Sequence, residues 1–216
     1  MISRRVASLA VILAAALFSS VATNARAADD GAQSFVEQEQ QKLTTLLHQP
    51  ASAARATQIE HELDAMVDYD ELARRAFGEP CPLSIPSCTD HWKSGELSDA
   101  QKTEVTGLLK KLVVKNYQKN LEKTLDYDVT YRGQKDAGSD TKVRTEAKSK
   151  LKPRDPAVQV DYVVHSDAGH HKVVDIVTEG SSLTKNYFDQ FDKKLKDPAL
   201  GYANIVAKLR EKIATP

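Results

Sequence analysis

The chain has 216 residues with 30 basic and 30 acidic side chains, so it carries no net charge at neutral pH. That balance argues against a general affinity for nucleic acid, which calls for a basic surface. The length suits one compact domain with a sizeable core once a leader is set aside.

The first residues read as that leader. Arg4-Arg5 form a short basic start, Val6 to Ala22 is almost wholly small and apolar, and Ala25-Arg26-Ala27 has the small-x-small pattern of a cleavage site before Ala28. We therefore expect residues 1–27 to be a cleaved export signal and residues 28–216 to be the mature protein. Removing 1–27 takes three arginines and no acid, leaving 27 basic against 30 acidic side chains. No later stretch is apolar for long enough to cross a bilayer.

Asp30 to His48 reads as a moderate amphipathic helix that stops before Pro50, and Ser52 to Val67 as a second, through Ile59, Leu63 and Met66. Asp68-Tyr69-Asp70-Glu71 has capping-box spacing and opens a short helix ended by Gly78. Between Gly78 and Trp92 lie both cysteines, three prolines and His91, a stretch too proline-rich for helix or central strand. Ser98-Asp99-Ala100-Gln101 is another capping box, and from it Val105, Leu108, Leu109, Leu112, Val113, Asn116, Tyr117, Asn120 and Leu121 recur at three and four along a long helix to about Leu125. Two of these nine are asparagine, which a dry core disfavours unless the amides are hydrogen-bonded or stand at the edge of the stripe.

From Tyr127 the period becomes two. Tyr127, Val129 and Tyr131 alternate with polar residues, Gly133 to Asp140 reads as a turn region, and Val143, Thr145 and Ala147 alternate again. A third strand, Val158 to His165, places Val158, Val160, Tyr162 and Val164 on one face, and a fourth runs from Lys172 to Thr178. "SDAGHH" between them reads as a tight hairpin, so the four segments predict an antiparallel meander. Two helices follow Gly180, marked by Tyr187, Phe191 and Leu195 and then by Tyr202, Ile205, Val206, Leu209 and Ile213. The plan is α+β, with helices packed on a curved antiparallel four-stranded sheet.

Candidate chemistry is sparse. His165, His170 and His171 flank a hairpin tip without a recognised metal-ligand spacing, and Cys81, Cys88 and His91 lack the short gap of zinc pairs. No Gly-rich phosphate loop, nucleophile elbow or zinc helix is present. Asp161, Asp175 and Tyr162 are the best candidates for a cavity enzyme, but alternation sends Asp161 to the face opposite Tyr162. The basic loop Lys150 to Pro156 reads as a solvated connection. In an exported chain, cysteines seven positions apart predict a Cys81 to Cys88 disulfide rather than ligated thiolates or a redox switch.

"KVVDIVTEGSSLTKNYFDQF", together with "DYDELARRAFG", "SDAQKTEVTGLLKKLVVKNY" and "IVAKLREK", resembles the MlaC-type family of periplasmic phospholipid-binding proteins, also called toluene-tolerance auxiliary components. The resemblance spans nearly all of the mature chain in the family's order. It implies a cone related to nuclear transport factor two, enclosing an apolar cavity for acyl tails. It also implies a carrier, not an enzyme, that moves phospholipids between an outer-membrane lipoprotein-porin complex and an inner-membrane MCE-protein ABC transporter and so maintains outer-membrane lipid asymmetry. Cofactors and metals are not implied, and a monomer is expected. The lipid-lining candidates carried over are Leu112, Val113, Tyr117, Leu121, Val160, Tyr162, Val164, Val174, Ile176, Leu183, Tyr187 and Phe191. Glu179-Gly180 and Asp175 read as structural, shaping the turn after the last strand. Two departures stand out: His171 sits where many members have tryptophan, and residues 79–92 form an insertion holding both cysteines. The rival readings are a cavity enzyme and a periplasmic chaperone or adaptor with a solid core.

Overall fold

A computed structural model describes residues 31–82, 84, 85 and 87–215, without the side chains of Lys119 and Leu121. The leader reading over 1–27 lies outside these residues. Six helices and five strands follow the order α1 (Gly31–Leu47), α2 (Ala53–Met66), α3 (Tyr69–Ala76), α4 (Asp99–Thr124), β1 (Tyr127–Ala137), β2 (Asp140–Ser149), β3 (Val158–Asp167), β4 (His170–Thr178), β5 (Ser181–Ser182), α5 (Leu183–Leu195) and α6 (Gly201–Ala214). The strands form one antiparallel sheet in sequence order, so the α+β plan holds.

Local chemistry sets the helix starts. Ser52 accepts from the Arg55 amide, and at Ser98 both halves of the capping box form: the Gln101 amide donates to Ser98 Oγ, and Gln101 Oε1 accepts from the Ser98 amide. Asp68 caps α3 through the Glu71 amide, but Glu71 turns to Arg74 and Arg75 instead of completing a box. The Asp68 amide donates to the Val173 carbonyl at 3.0 Å, so the joint between α2 and α3 is hooked onto β4.

The sheet departs from strict alternation at two places. Gly133, at φ 84°, sits in a register shift between Tyr131 and Gln134, so β1 runs on to Ala137 and the turn falls at Gly138-Ser139 instead of filling Gly133 to Asp140. Between β3 and β4, Val164 pairs with Val173 while Val163 pairs with Asp175. Val174 is the extra residue of this bulge, and it joins Val163 and Val177 in a small cluster on the far face of the sheet. Ile176, which alternation places beside Val174, packs on the near face with Tyr162 and Val164. A two-residue fifth strand, beyond the four expected, pairs Ser181 and Ser182 with Thr178 and Val177.

Two larger cores result. One sets α1 and α2 on the near face of the sheet through Val36, Leu43, Leu63, Val143, Val164 and Val173. The other joins the helices α3 to α6 through Phe77, Val105, Leu109, Leu112, Phe191 and Ile205.

Cys81 and Cys88 are disulfide-bonded, with Cα atoms 5.7 Å apart. The stretch is tied to the helical core at its far end, where the His91 amide donates to the Phe77 carbonyl and the buried ring lies between Glu96 Oε2 at 2.6 Å and Asp192 Oδ1 at 2.8 Å. Trp92 packs on Phe77, ring centroids 5.9 Å apart. Replacing both cysteines by serine is expected to cost about 2 to 3 kcal/mol, the closure entropy of so short a loop, read as a lower midpoint in urea. Near-native far-ultraviolet circular dichroism should persist, because neither core includes a cysteine.

Candidate functional site: a cavity between α4 and the β4–α5 corner

The first half of α4 packs into the helical core, but its second half faces a hollow bounded across the way by the end of β4, by β5 and by the first turn of α5. Its volume is about 520 Å³. Val113, Tyr117, Ile176, Leu183 and Tyr187 supply its apolar surface; Asn116, Asn120, Thr124, Thr178, Ser181 and Asn186 supply polar atoms. Among the described residues no charged side chain lines it. A dry cavity of about 150 Å³ takes one benzene, so on that scale this one takes roughly 20 carbon atoms. That is room for one acyl chain of ordinary length, or parts of two.

The β4–α5 corner is held rigidly. Asp175 Oδ1 accepts from the Ile176 and Thr184 amides at 2.9 and 3.0 Å, and Oδ2 accepts from the Ser182 hydroxyl at 2.6 Å. Ser182 also caps α5. Glu179, at φ 49°, accepts from the Gln159 amide and donates its own amide to the Gln159 carbonyl at 3.0 Å. These acids shape the wall of the cavity and do not enter it.

The sequence candidates divide accordingly. Val113, Tyr117, Ile176, Leu183 and Tyr187 come together in the cavity. Leu112 and Phe191 are buried in the helical core, and Val164 is fully buried beneath α1. Tyr162 packs on that same core, its hydroxyl accepting from Gln40 Nε2 at 2.9 Å. Val160 is half-buried, paired between Thr145 and Thr178, and does not line the hollow. Val174 stands on the opposite face because of the bulge. The side chain of Leu121 lies outside the described residues. The polar lining is absent from the sequence candidates, although Asn116, Asn120 and Thr124, four apart on α4, form a readable stripe.

Other candidates have local structural partners. His165 Nδ1 meets Asp140 at 2.8 Å, and His171 Nδ1 meets Ser166 Oγ at 2.8 Å while its ring lies 5.7 Å from that of Phe35. Asp161 is buried on the far face against Gln159 and Lys142. A second hollow of about 410 Å³ on that face is lined by Arg75, Asp140, Lys142, Asp175 and Lys185 among others, and each of these charges already has a partner. Its wall mixes these charges with Pro80, Pro82, Val163 and Val177.

Tyr117, Tyr131, Tyr162 and Tyr187 stand in or beside the two cores and the cavity. Burial, with the neighbouring Tyr162, holds the Tyr117 hydroxyl well above its ordinary range; burial does the same for Tyr162 and Tyr187. Burial and the Glu37 carboxylate push Tyr131 up to about 12. Each is a folded-state value raised above that of the unfolded chain, so this contribution to stability is complete below pH 10 and is lost as pH rises through the folded value. Urea midpoints are therefore expected to fall between pH 10 and 12, with the tyrosinate absorbance of the buried rings at 295 nm appearing together with unfolding rather than before it.

The fold has solved relatives. A phospholipid-binding protein from Ralstonia solanacearum, solved in complex with a phospholipid, superposes with a TM-score of 0.65 over 85% of this chain and 97% of its own, at 20% sequence identity. No curated protein matches the chain. The model of the MlaC protein family matches residues 37–211, which takes in all of α2 to α5 and every wall of the cavity, and the chain belongs to that family.

Proposed function

We propose that this protein is a periplasmic phospholipid carrier, exported by residues 1–27 and mature from Ala28 as one domain. It takes lipid to and from an outer-membrane lipoprotein-porin complex and an inner-membrane MCE-protein ABC transporter, so maintaining the lipid asymmetry of the outer membrane. The observation that carries this reading is the hollow between α4 and the β4–α5 corner, with apolar side chains on both walls and no charged side chain among its described residues. Membership of the MlaC family and a structural neighbour that holds a phospholipid support it. The disulfide fits an oxidising compartment.

The physics of the task explains why such a hollow is needed. Each methylene withdrawn from water gains about 0.8 kcal/mol, so a sixteen-carbon tail is worth roughly 12 kcal/mol and cannot be moved through water exposed. The headgroup is well hydrated and can remain at the mouth. Capacity for roughly 20 carbons means that a diacyl lipid either leaves part of one tail near the mouth or parts the walls further. No bond is made or broken in this task. The rival cavity enzyme lacks an acid or base of suitable strength there, since Tyr117 and Tyr187 are the ionisable residues of the described lining and burial raises both.

Protein purified without detergent is expected to release phospholipid into an organic extract, identified by mass spectrometry; repeated native preparations that carry none and take none from vesicles would end the carrier reading. Val113→Trp is expected to take up about a third of the hollow, on the same scale of roughly 20 carbons, and cut the lipid recovered several-fold. It should shift stability by less than about 1 kcal/mol, because the new ring enters empty space rather than a packed core. Undiminished lipid in a folded Val113→Trp protein would place the lipid elsewhere.

A further inference from the structure

Tail shielding alone leaves one feature of the hollow unexplained. Asn116 and Asn120 stand one turn apart on α4 at exposed positions lining the cavity, and Asn186 lines it from the first turn of α5. Between these positions and around them the exposed residues of the second half of α4 include Gln118, Glu122 and Lys123, which favour helix more than asparagine does. Water exposure alone calls for no asparagine here.

The three amides have a definite arrangement. Asn120 Nδ2 donates to the Asn116 carbonyl at 2.9 Å, and Asn120 Oδ1 accepts from Lys123 Nζ at 3.3 Å. Asn186 Nδ2 donates to Ser181 Oγ at 2.9 Å. The side-chain amide of Asn116 makes no hydrogen bond to another described residue. Val113 lies about one turn nearer the start of α4 than Asn116 and Tyr117, so the polar groups gather towards the helix end and the apolar ones towards its middle. A lipid lying in the hollow has the same polarity: a chain without polar atoms, then ester, glycerol and phosphodiester oxygens. The end of α4 carries partial negative charge that disfavours an anion, and Lys123 in the last turn offsets it.

We propose that Asn116, Asn120 and Asn186 form a polar collar that hydrogen-bonds the ester and phosphodiester oxygens of the cargo, with the chain running from the collar towards Val113 and Tyr187. The inference rests on the carrier reading and adds a basis for selection. Amides offer donors and acceptors without net charge. The collar therefore separates lipids that carry a glycerophosphate from free fatty acids, while tolerating zwitterionic and anionic headgroups alike.

The test uses two probes with the same tail, oleate and 1-oleoyl-lysophosphatidylcholine, each displacing a fluorescent fatty acid from the full mature protein. Because the tail contribution cancels in the ratio of affinities, the change of that ratio on mutation reads the preference of the collar between the two head groups. In Asn116→Ala/Asn120→Ala, the preference for the lysophospholipid over oleate is expected to fall about ten-fold, the loss of one or two hydrogen bonds to polar or charged oxygens. Oleate affinity should stay within about two-fold of that of the unaltered protein, because its carboxylate offers the collar one acceptor group where the lysophospholipid offers both an ester and a phosphodiester. Replacing the choline probe by 1-oleoyl-lysophosphatidylglycerol should give the same fall. An unchanged ratio, or an equal loss for both probes, overturns the collar while leaving the carrier reading intact. A fall confined to the glycerol probe assigns the effect to Lys123 and also overturns it. Failure of the unaltered protein to bind any of the probes overturns both readings.

Discussion

An apolar hollow has to be kept from closing. Its walls forgo dispersion contacts and, when wet, expose apolar surface, so collapse is favoured unless the elements around it are committed elsewhere. Here α4 is the commitment. At 26 residues it is roughly 39 Å long, and Val105, Leu109 and Leu112 hold it in the helical core while Val114 belongs to the core on the sheet. The helix is thus a strut fixed to two cores, and the hollow lies along the side of its second half that neither core covers. The hook from the Asp68 amide to Val173 and the clamp of Asp175 on Ser182 and Thr184 fix the opposite wall in the same way. Separate anchoring of the two walls is what makes room for a ligand.

The stretch 79–92, which holds the disulfide, belongs to the second of these anchors. His91 ends the stretch with its ring nitrogens between Glu96 and Asp192, and Asp192 sits on α5, the helix whose first turn forms a wall of the hollow. Burial works against the charge on Asp192, yet its hydrogen bonds to Lys196 and His91 hold the carboxyl below its usual range. Gly78, where the stretch begins, is equally constrained: a Cβ there would stand 2.5 Å from the Thr89 carbonyl and 2.9 Å from Phe188, at a φ of 89°. Both ends of the disulfide loop are therefore pinned beside α5.

What the sequence reveals and what it hides have the same physical origin. Capping boxes and apolar stripes are local, so α4, its start at Ser98 and the strand that bears Tyr162 are legible in the order of residues alone. A bulge is decided by two strands together, and nothing in "HHKVVDIVT" says that Val174 rather than Val173 turns to the far face. Periodicity also tells which face of an element is apolar but not how far away the opposing surface stands. Leu112 and Val113 are neighbours on one stripe, yet one is packed in the core and the other borders the hollow. Only the asparagines signal an opening, because amides on an apolar stripe make sense where the stripe meets water.

A carrier must also let go, and this bears on why the described lining holds no charge. Tail burial of roughly 12 kcal/mol per sixteen carbons already approaches nanomolar affinity before the costs of association are counted. A buried arginine or lysine paired with the phosphodiester would add to that, and differences in affinity between related complexes reside mainly in the rate of departure. The same charge would also bind differently to zwitterionic and anionic lipids. Neutral amides at the mouth avoid both effects: each contributes a modest, solvent-exchangeable bond, enough to bias which lipid enters and too little to hold it. The working part of the cavity is its large apolar surface, whose affinity disappears once the tail finds another apolar environment. In this reading, handing cargo to a membrane complex requires a continuous apolar path from the mouth between α4 and α5, and no ion pair has to be broken along it.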